Sequence, residues 1–238
     1  MTERIHQIIY QDDYLVAVNK PENLLVHRSE IDKHETRFLI QELRDQIGQR
    51  VYPIHRLDKP TSGLILFALD KNTQSIVSQQ FENNLVNKTY LAVVRGHIDR
   101  SITIDHALKE KSVFKSQNKD ALPTKEAITR VRSINKFEIN AAIDKYPTSR
   151  YNLIMVKPKT GRRHQIRRHL KHISHPIIGD TSYGKTTHNQ YFRDNLNCNR
   201  LMLHAYKISF CHPTTNKPMN LHAKTNSNFT NTIVRLSE

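Results

Sequence analysis

Short apolar runs bounded by turn residues, with few helical windows between them, restrict this chain to a strand-rich architecture. Runs at 8–10, 15–18, 51–54, 64–69, 90–94, 127–134, 151–156 and 201–210 read as strands, and Pro21 closes the first pair. A 3.6-residue apolar spacing recurs in only three windows. The first spans 36–47, where Phe38, Leu39, Leu43 and Ile47 share a face and Gly48 provides the stop. The second is capped by Asn72 and carries Ile76, Val77 and Phe81; the third starts near Arg162 and carries Ile166, Leu170 and Ile173. Strands are not followed one by one by helices, so the expected class is α+β with a mainly antiparallel mixed sheet and flanking helices rather than a doubly wound fold. Two polar stretches interrupt the pattern: a lysine-rich, aperiodic one at 109–125, expected to be a long exposed loop, and another at 185–200. A single domain over 1–238 is expected.

The six glycines, Gly48, Gly63, Gly96, Gly161, Gly179 and Gly184, assemble neither a GxGxxG turn nor a P-loop, which removes support for a nucleotide cofactor. Charge then narrows the partner. Lys and Arg number 37 against 22 Asp and Glu, a formal net charge of +15, which favours a polyanion through phosphate contacts and counterion release. A membrane surface fits poorly: Trp is absent, no basic amphipathic helix is visible, and no apolar run approaches the ~20 residues that cross a bilayer. Glu3, Arg4 and His6 stand where a signal peptide needs an apolar core, and Cys198 and Cys211 form no CxxC pair, so a reducing cytoplasm is the expected location.

Chemistry concentrates in two segments. In His55-Arg56-Leu57-Asp58-Lys59-Pro60-Thr61-Ser62-Gly63-Leu64 a carboxylate sits between basic residues in a turn closed by glycine, a setting that keeps it ionised as nucleophile or base; an aspartate before a proline turn also serves commonly as a backbone organiser. In residues 157–169 arginines crowd the start of a helix whose buried face is marked by Ile166 and Leu170. Arg163 and Arg167, one turn apart, flank that face and are placed to reach a carboxylate, while Arg162 and Arg168 point out to phosphates. His164, His169 and His172 are spaced by five and three, unlike a zinc motif, so no metal is expected. Ser62 lies in no nucleophile elbow, which leaves a His55-assisted hydrolase a poor second.

Residues 55–64 resemble the signature of the RluA-type pseudouridine synthases, in which the catalytic aspartate follows His-Arg-Leu. Val18-Asn19-Lys20-Pro21 with Leu25-Val26-His27, the block 88–96, Gly161 to His169, His175-Pro176-Ile177-Ile178-Gly179-Asp180 and Arg200-Leu201-Met202-Leu203-His204-Ala205 are similar to the other family blocks in family order, so that the likeness spans about 8–223. Val26-His27-Arg28-Ser29, the segment 146–151 and the doubled Arg167-Arg168 are most similar to a tRNA-acting branch that modifies uridine 65, a branch without an added N-terminal RNA-binding domain.

The resemblance implies a central catalytic cleft and a cofactor-free isomerisation in which the target uridine is flipped out of its stack. It implies that Asp58, Tyr90 and Arg167 are catalytic, Asp58 as the carboxylate, Tyr90 against the uracil and Arg167 paired with Asp58. Arg56 fills the vacated stack, and Arg162, Arg163 and Arg168 bind RNA. Expected partners are tRNA or, as the nearest rival, ribosomal RNA, with no membrane, the protein acting as a monomer; a basic RNA-binding protein without turnover is the alternative from another class.

Overall fold

The computed structural model describes residues 6–28, 34–110 and 122–238. Ser29, Glu3, Arg4 and most of the expected loop at 109–125 lie outside them. Two compact units make up the chain: one runs to Lys88 and adds His204–Lys224, the other takes Thr89–Leu203 and Thr225–Glu238.

In the first unit, β1 (Gln7–Gln11) pairs antiparallel with β2 (Leu15–Lys20), and β2 with β4 (Ser62–Ala68). The short β3 (Tyr52–Pro53) pairs with the end of β4, and β11 (Leu203–Cys211) meets the start of β4 in parallel before pairing antiparallel with β12 (Pro218–His222). All seven residues of β4 are buried, and its run at 64–68 is accordingly continuously apolar rather than alternating. Its face packs Leu64, Leu66 and Ala68 against Leu15, Ala17, Val77 and Ile208. Helix α1 (Leu39–Ile47) ends on Gly48 at φ 68°, as its sequence requires. Helix α2 (Lys71–Glu82) is capped by Asp70, whose carboxylate accepts the Thr73 N–H at 2.9 Å. The cap expected at Asn72 is therefore two residues late; the aspartate is extended and reaches the open amide, while Asn72 is already helical.

In the second unit, β5 (Asn87–Arg95), β10 (Ser149–Pro158), β9 (Ile128–Ile139) and β6 (Ile102–Asp105) lie side by side and are antiparallel throughout. β7 (Leu108–Lys109) and β8 (Thr124–Lys125) pair with each other, so the two ends of the expected 109–125 loop are closed as a strand pair. Helix α3 (Gln165–His172) packs Ile166 and Leu170 with Val131, Phe137 and Val156. Two further helices were not expected. α4 (Thr186–Leu196) occupies the polar stretch and hides only His188 and Phe192, one turn apart, before Asn197 ends it at φ 50°. α5 (Ser227–Arg235) is capped by Asn226 and buries Phe229. The result is the α+β, mainly antiparallel architecture expected from the sequence.

Candidate active site

Asp58 lies between β3 and β4, on a turn closed by the Thr61 N–H donating to the Asp58 carbonyl at 3.0 Å. Its neighbours fix that turn. Lys20 is fully buried, and its ammonium donates to the carbonyls of Pro21, Leu24 and Lys59 at 2.9, 2.8 and 3.0 Å, tying the end of β2 to the residue after Asp58. Three carbonyl dipoles compensate a charge that would otherwise be very costly to bury. Lys59 itself pairs with Glu35 at 2.6 Å. Behind the turn, the His204 ring bonds the Ala223 carbonyl through Nε2 and Ser62 Oγ through Nδ1, at 3.0 and 2.8 Å. A carbonyl only accepts, so Nε2 carries the proton and the Ser62 hydroxyl donates to Nδ1. Ser62 is thus a buried anchor of the strand start, and the hydrolase reading loses its nucleophile.

Gly63 follows at φ 110°, and a Cβ there would lie 2.3 Å from the Ala205 oxygen, so the parallel contact of β4 with β11 admits only glycine. His55 stacks on Phe81 at 4.7 Å and accepts the Leu66 N–H at Nε2. Burial, with the charge of Lys88, pushes its pKa down to about 3, so at neutral pH it is an uncharged support. Arg56 is exposed; its charge and, chiefly, burial lower the pKa of His27.

The second unit holds the other residues. Tyr90 stands on β5 opposite Val156, partly buried against the core of this unit. Arg167, 4% exposed, donates from Nε and Nη2 to the two oxygens of Asp180 at 2.7 and 2.8 Å and lies over the Tyr183 ring at 5.2 Å. Asp180 also accepts the Ser182 and Tyr183 N–H groups. Burial raises its pKa, but the Arg167 hydrogen bond and charge and the two amides outweigh that and hold it below the usual carboxylate range. Asp180 was not singled out from sequence; its signal was only its place in the His175–Asp180 block.

Helix α3 begins at Gln165, three residues later than expected, behind His164 in the left-handed region at φ 53°; the Gln165 side chain holds the preceding turn, its Oε1 accepting the Arg162 N–H and the Thr160 hydroxyl while its Nε2 reaches Ile128 and Thr129. Arg163 therefore sits in the turn before the helix, not on its first turn. Arg162 is exposed with Nε on the Glu126 carbonyl, and Arg163 and Arg168 are half-buried. The three histidines have separate duties: His164 meets the Tyr183 hydroxyl, His169 bridges Thr129 and the His106 carbonyl, and His172 stacks on His106 at 3.8 Å.

The structure is similar to that of human RNA pseudouridylate synthase domain containing 4, with a TM-score of 0.72 at 22% identity over 97% of this chain and 93% of that one. The human domain containing 1 protein gives 0.70 at 24% identity over 98% and 95%. Both likenesses concern the fold. The sequence is 49% identical to tRNA pseudouridine synthase C of Vibrio cholerae over 222 residues, 91% of this chain and 90% of that protein. The protein of the same name from Pasteurella multocida is 49% identical over 220 residues, again 91% and 90%. Residues 14–172, more than half of the chain, match RNA pseudouridylate synthase, and the protein belongs to that family of isomerases.

Proposed function

We propose that the protein converts uridine to pseudouridine in tRNA, at position 65, with both units forming one catalytic domain. The observation that carries this reading is the Asp58 turn, braced by Lys20, His204 and Gly63 so that a carboxylate is presented in a fixed frame. The names of the relatives that match over nine-tenths of the chain support tRNA as the substrate. The family match includes Asp58, Tyr90 and Arg167, drawn from both units.

The reaction breaks the bond between ribose C1′ and uracil N1, turns the base, and rejoins it through C5; no atom is gained or lost. In this reading the target nucleotide leaves its stack, at a cost of a few kcal/mol. Arg56, exposed beside the turn, fills the gap with a planar cation that both stacks and hydrogen-bonds. Tyr90 packs its ring on the uracil. Asp58 supplies the carboxylate at the glycosidic carbon, the base or a ribose proton, each of which needs it ionised. Arg167, with its Nε–Nη2 edge given to Asp180, has its orientation set by that pair and takes the role of holding Asp58 in line. Arg162, Arg163 and Arg168 bind backbone phosphates.

The test is to incubate the protein with unmodified tRNA and with ribosomal RNA, without any added cofactor, and to map pseudouridine by chemical modification and primer extension. A new pseudouridine at tRNA position 65 is expected. A ribosomal product alone overturns the substrate, and no product in either RNA overturns the proposed reaction.

A further inference from the structure

Strands β9 and β10 carry cations of two kinds. Arg150 pairs with Glu138 across the two strands and Lys136 with Asp99 in the connection after β5, as surface charges commonly do. The side chains of Arg130, Arg132 and Lys157 form no hydrogen bond or ion pair among the described residues. They line one cavity of about 270 Å³, whose lining contains no acidic residue.

The strand registers explain how they meet. Arg130 on β9 stands directly across from Lys157 on β10 and from Thr103 on β6, and Arg132, two residues along, stands across from Met155. Val131 and Val156 between them turn into the core, which sends all three cations to the other face. Like charges directly opposite one another on neighbouring strands are destabilising, so Arg130 against Lys157 breaks a local rule of sheet pairing, and neither side chain is held in an ion pair among the described residues. Such a violation is expected where function requires it. Met155, across from Arg132, gives the groove an aliphatic floor, while the Thr103 hydroxyl adds a neutral donor.

We propose that this groove is a second, non-catalytic RNA contact that grips adjacent phosphodiester groups of the tRNA backbone away from the reacting nucleotide. The inference rests on the reading of the protein as an RNA-modifying enzyme and places a contact on residues outside the signature blocks. Two residues along a strand span about 6.6 Å, so Arg130 with Lys157 takes one phosphate and Arg132 its neighbour. The groove also runs toward the basic start of α3: Lys159 donates its N–H to Ile128 and Arg162 its Nε to Glu126, laying the 159–162 connection beside the beginning of β9. No base edge is involved, so the groove adds affinity and register without sequence preference.

The experiment compares Arg130→Gln/Arg132→Gln/Lys157→Gln with a control that removes the same charge from exposed sites of the other unit, Lys71→Gln/Lys217→Gln/Lys224→Gln. Binding of an unmodified tRNA transcript is measured across salt concentrations, alongside turnover at saturating tRNA. The groove variant is expected to bind about tenfold more weakly than the control at ~0.1 M salt, with the slope of log K against log salt shallower by about two, and to keep kcat within about twofold. Arg132→Gln alone, which leaves the strand pairing untouched, is expected to make the slope shallower by about one and serves if the triple variant melts early. Equal affinity and slope in groove and control variants overturn the proposal, as does a loss of kcat without a change in affinity. Binding is read independently of product, so absence of pseudouridine with the native protein counts against the proposed function and not against the groove.

Discussion

Arg167 and Asp180 form a two-point ion pair in which Nε and Nη2 each meet one carboxylate oxygen, and both side chains are withdrawn from solvent. A guanidinium gripped along one edge cannot swing, so the direction of its other edge is fixed by the 177–184 segment. Asp180→Ala strands a buried cation and is expected to lower folding stability by about 3–5 kcal/mol in denaturant melts. Asp180 is held below its ordinary pKa when folded, so the stability it contributes is present above the unfolded carboxylate value and is lost as pH falls through the folded one. A variant as stable as the native protein contradicts the role given to this pair.

Lys20 makes a second prediction. Its ammonium links β2 to the Lys59 carbonyl next to Asp58, so Lys20→Met, close in volume, leaves buried carbonyls without that donor. A loss of about 1–3 kcal/mol and a fall in turnover larger than any change in tRNA affinity are expected. Native stability together with native turnover would remove Lys20 from the frame of the turn.

His55 titrates against the fold. Its pKa is lowered from 6.5 to about 3, so on unfolding in acid the ring must take up a proton that it does not hold when folded. The stability it contributes is present above pH ~6.5 and is lost as pH falls from there toward about 3. His55→Gln should flatten this limb in stability measured against pH; a slope identical to that of the native protein would show that His55 is charged in the fold.

Gly63 tests the parallel contact. Gly63→Ala brings a methyl group against the Ala205 backbone at a φ that alanine rarely adopts, so loss of stability by more than about 2 kcal/mol is expected. An unchanged melting temperature would mean that β4 and β11 separate there at little cost.

The strands were legible because β4 and the centre of β5 are apolar runs, and the class followed from strands and helices not alternating one by one. Helices α4 and α5 were not, because α4 hides only His188 and Phe192 and the rest of its turns are polar, leaving no 3.6-residue stripe to read. Asp58 was visible through its motif, and the braces around it were less so: nothing in local sequence says that Lys20 bonds Lys59 or that Ser62 meets His204, which are contacts between residues 39 and 142 positions apart. The Arg167–Asp180 pair escaped for the same reason. A charge run such as 162–168 does not disclose which arginine is buried, and only the packing of Ile166 and Leu170 turns Arg167 inward.

The most direct test compares the native protein with Asp58→Asn on one unmodified tRNA transcript, measuring pseudouridine at position 65 and tRNA affinity side by side. Asparagine keeps the shape of the turn and removes the charge, so the variant is expected to bind tRNA within a few fold of the native protein and to form no product. Substantial turnover by the variant would contradict the assignment of Asp58 as the catalytic carboxylate.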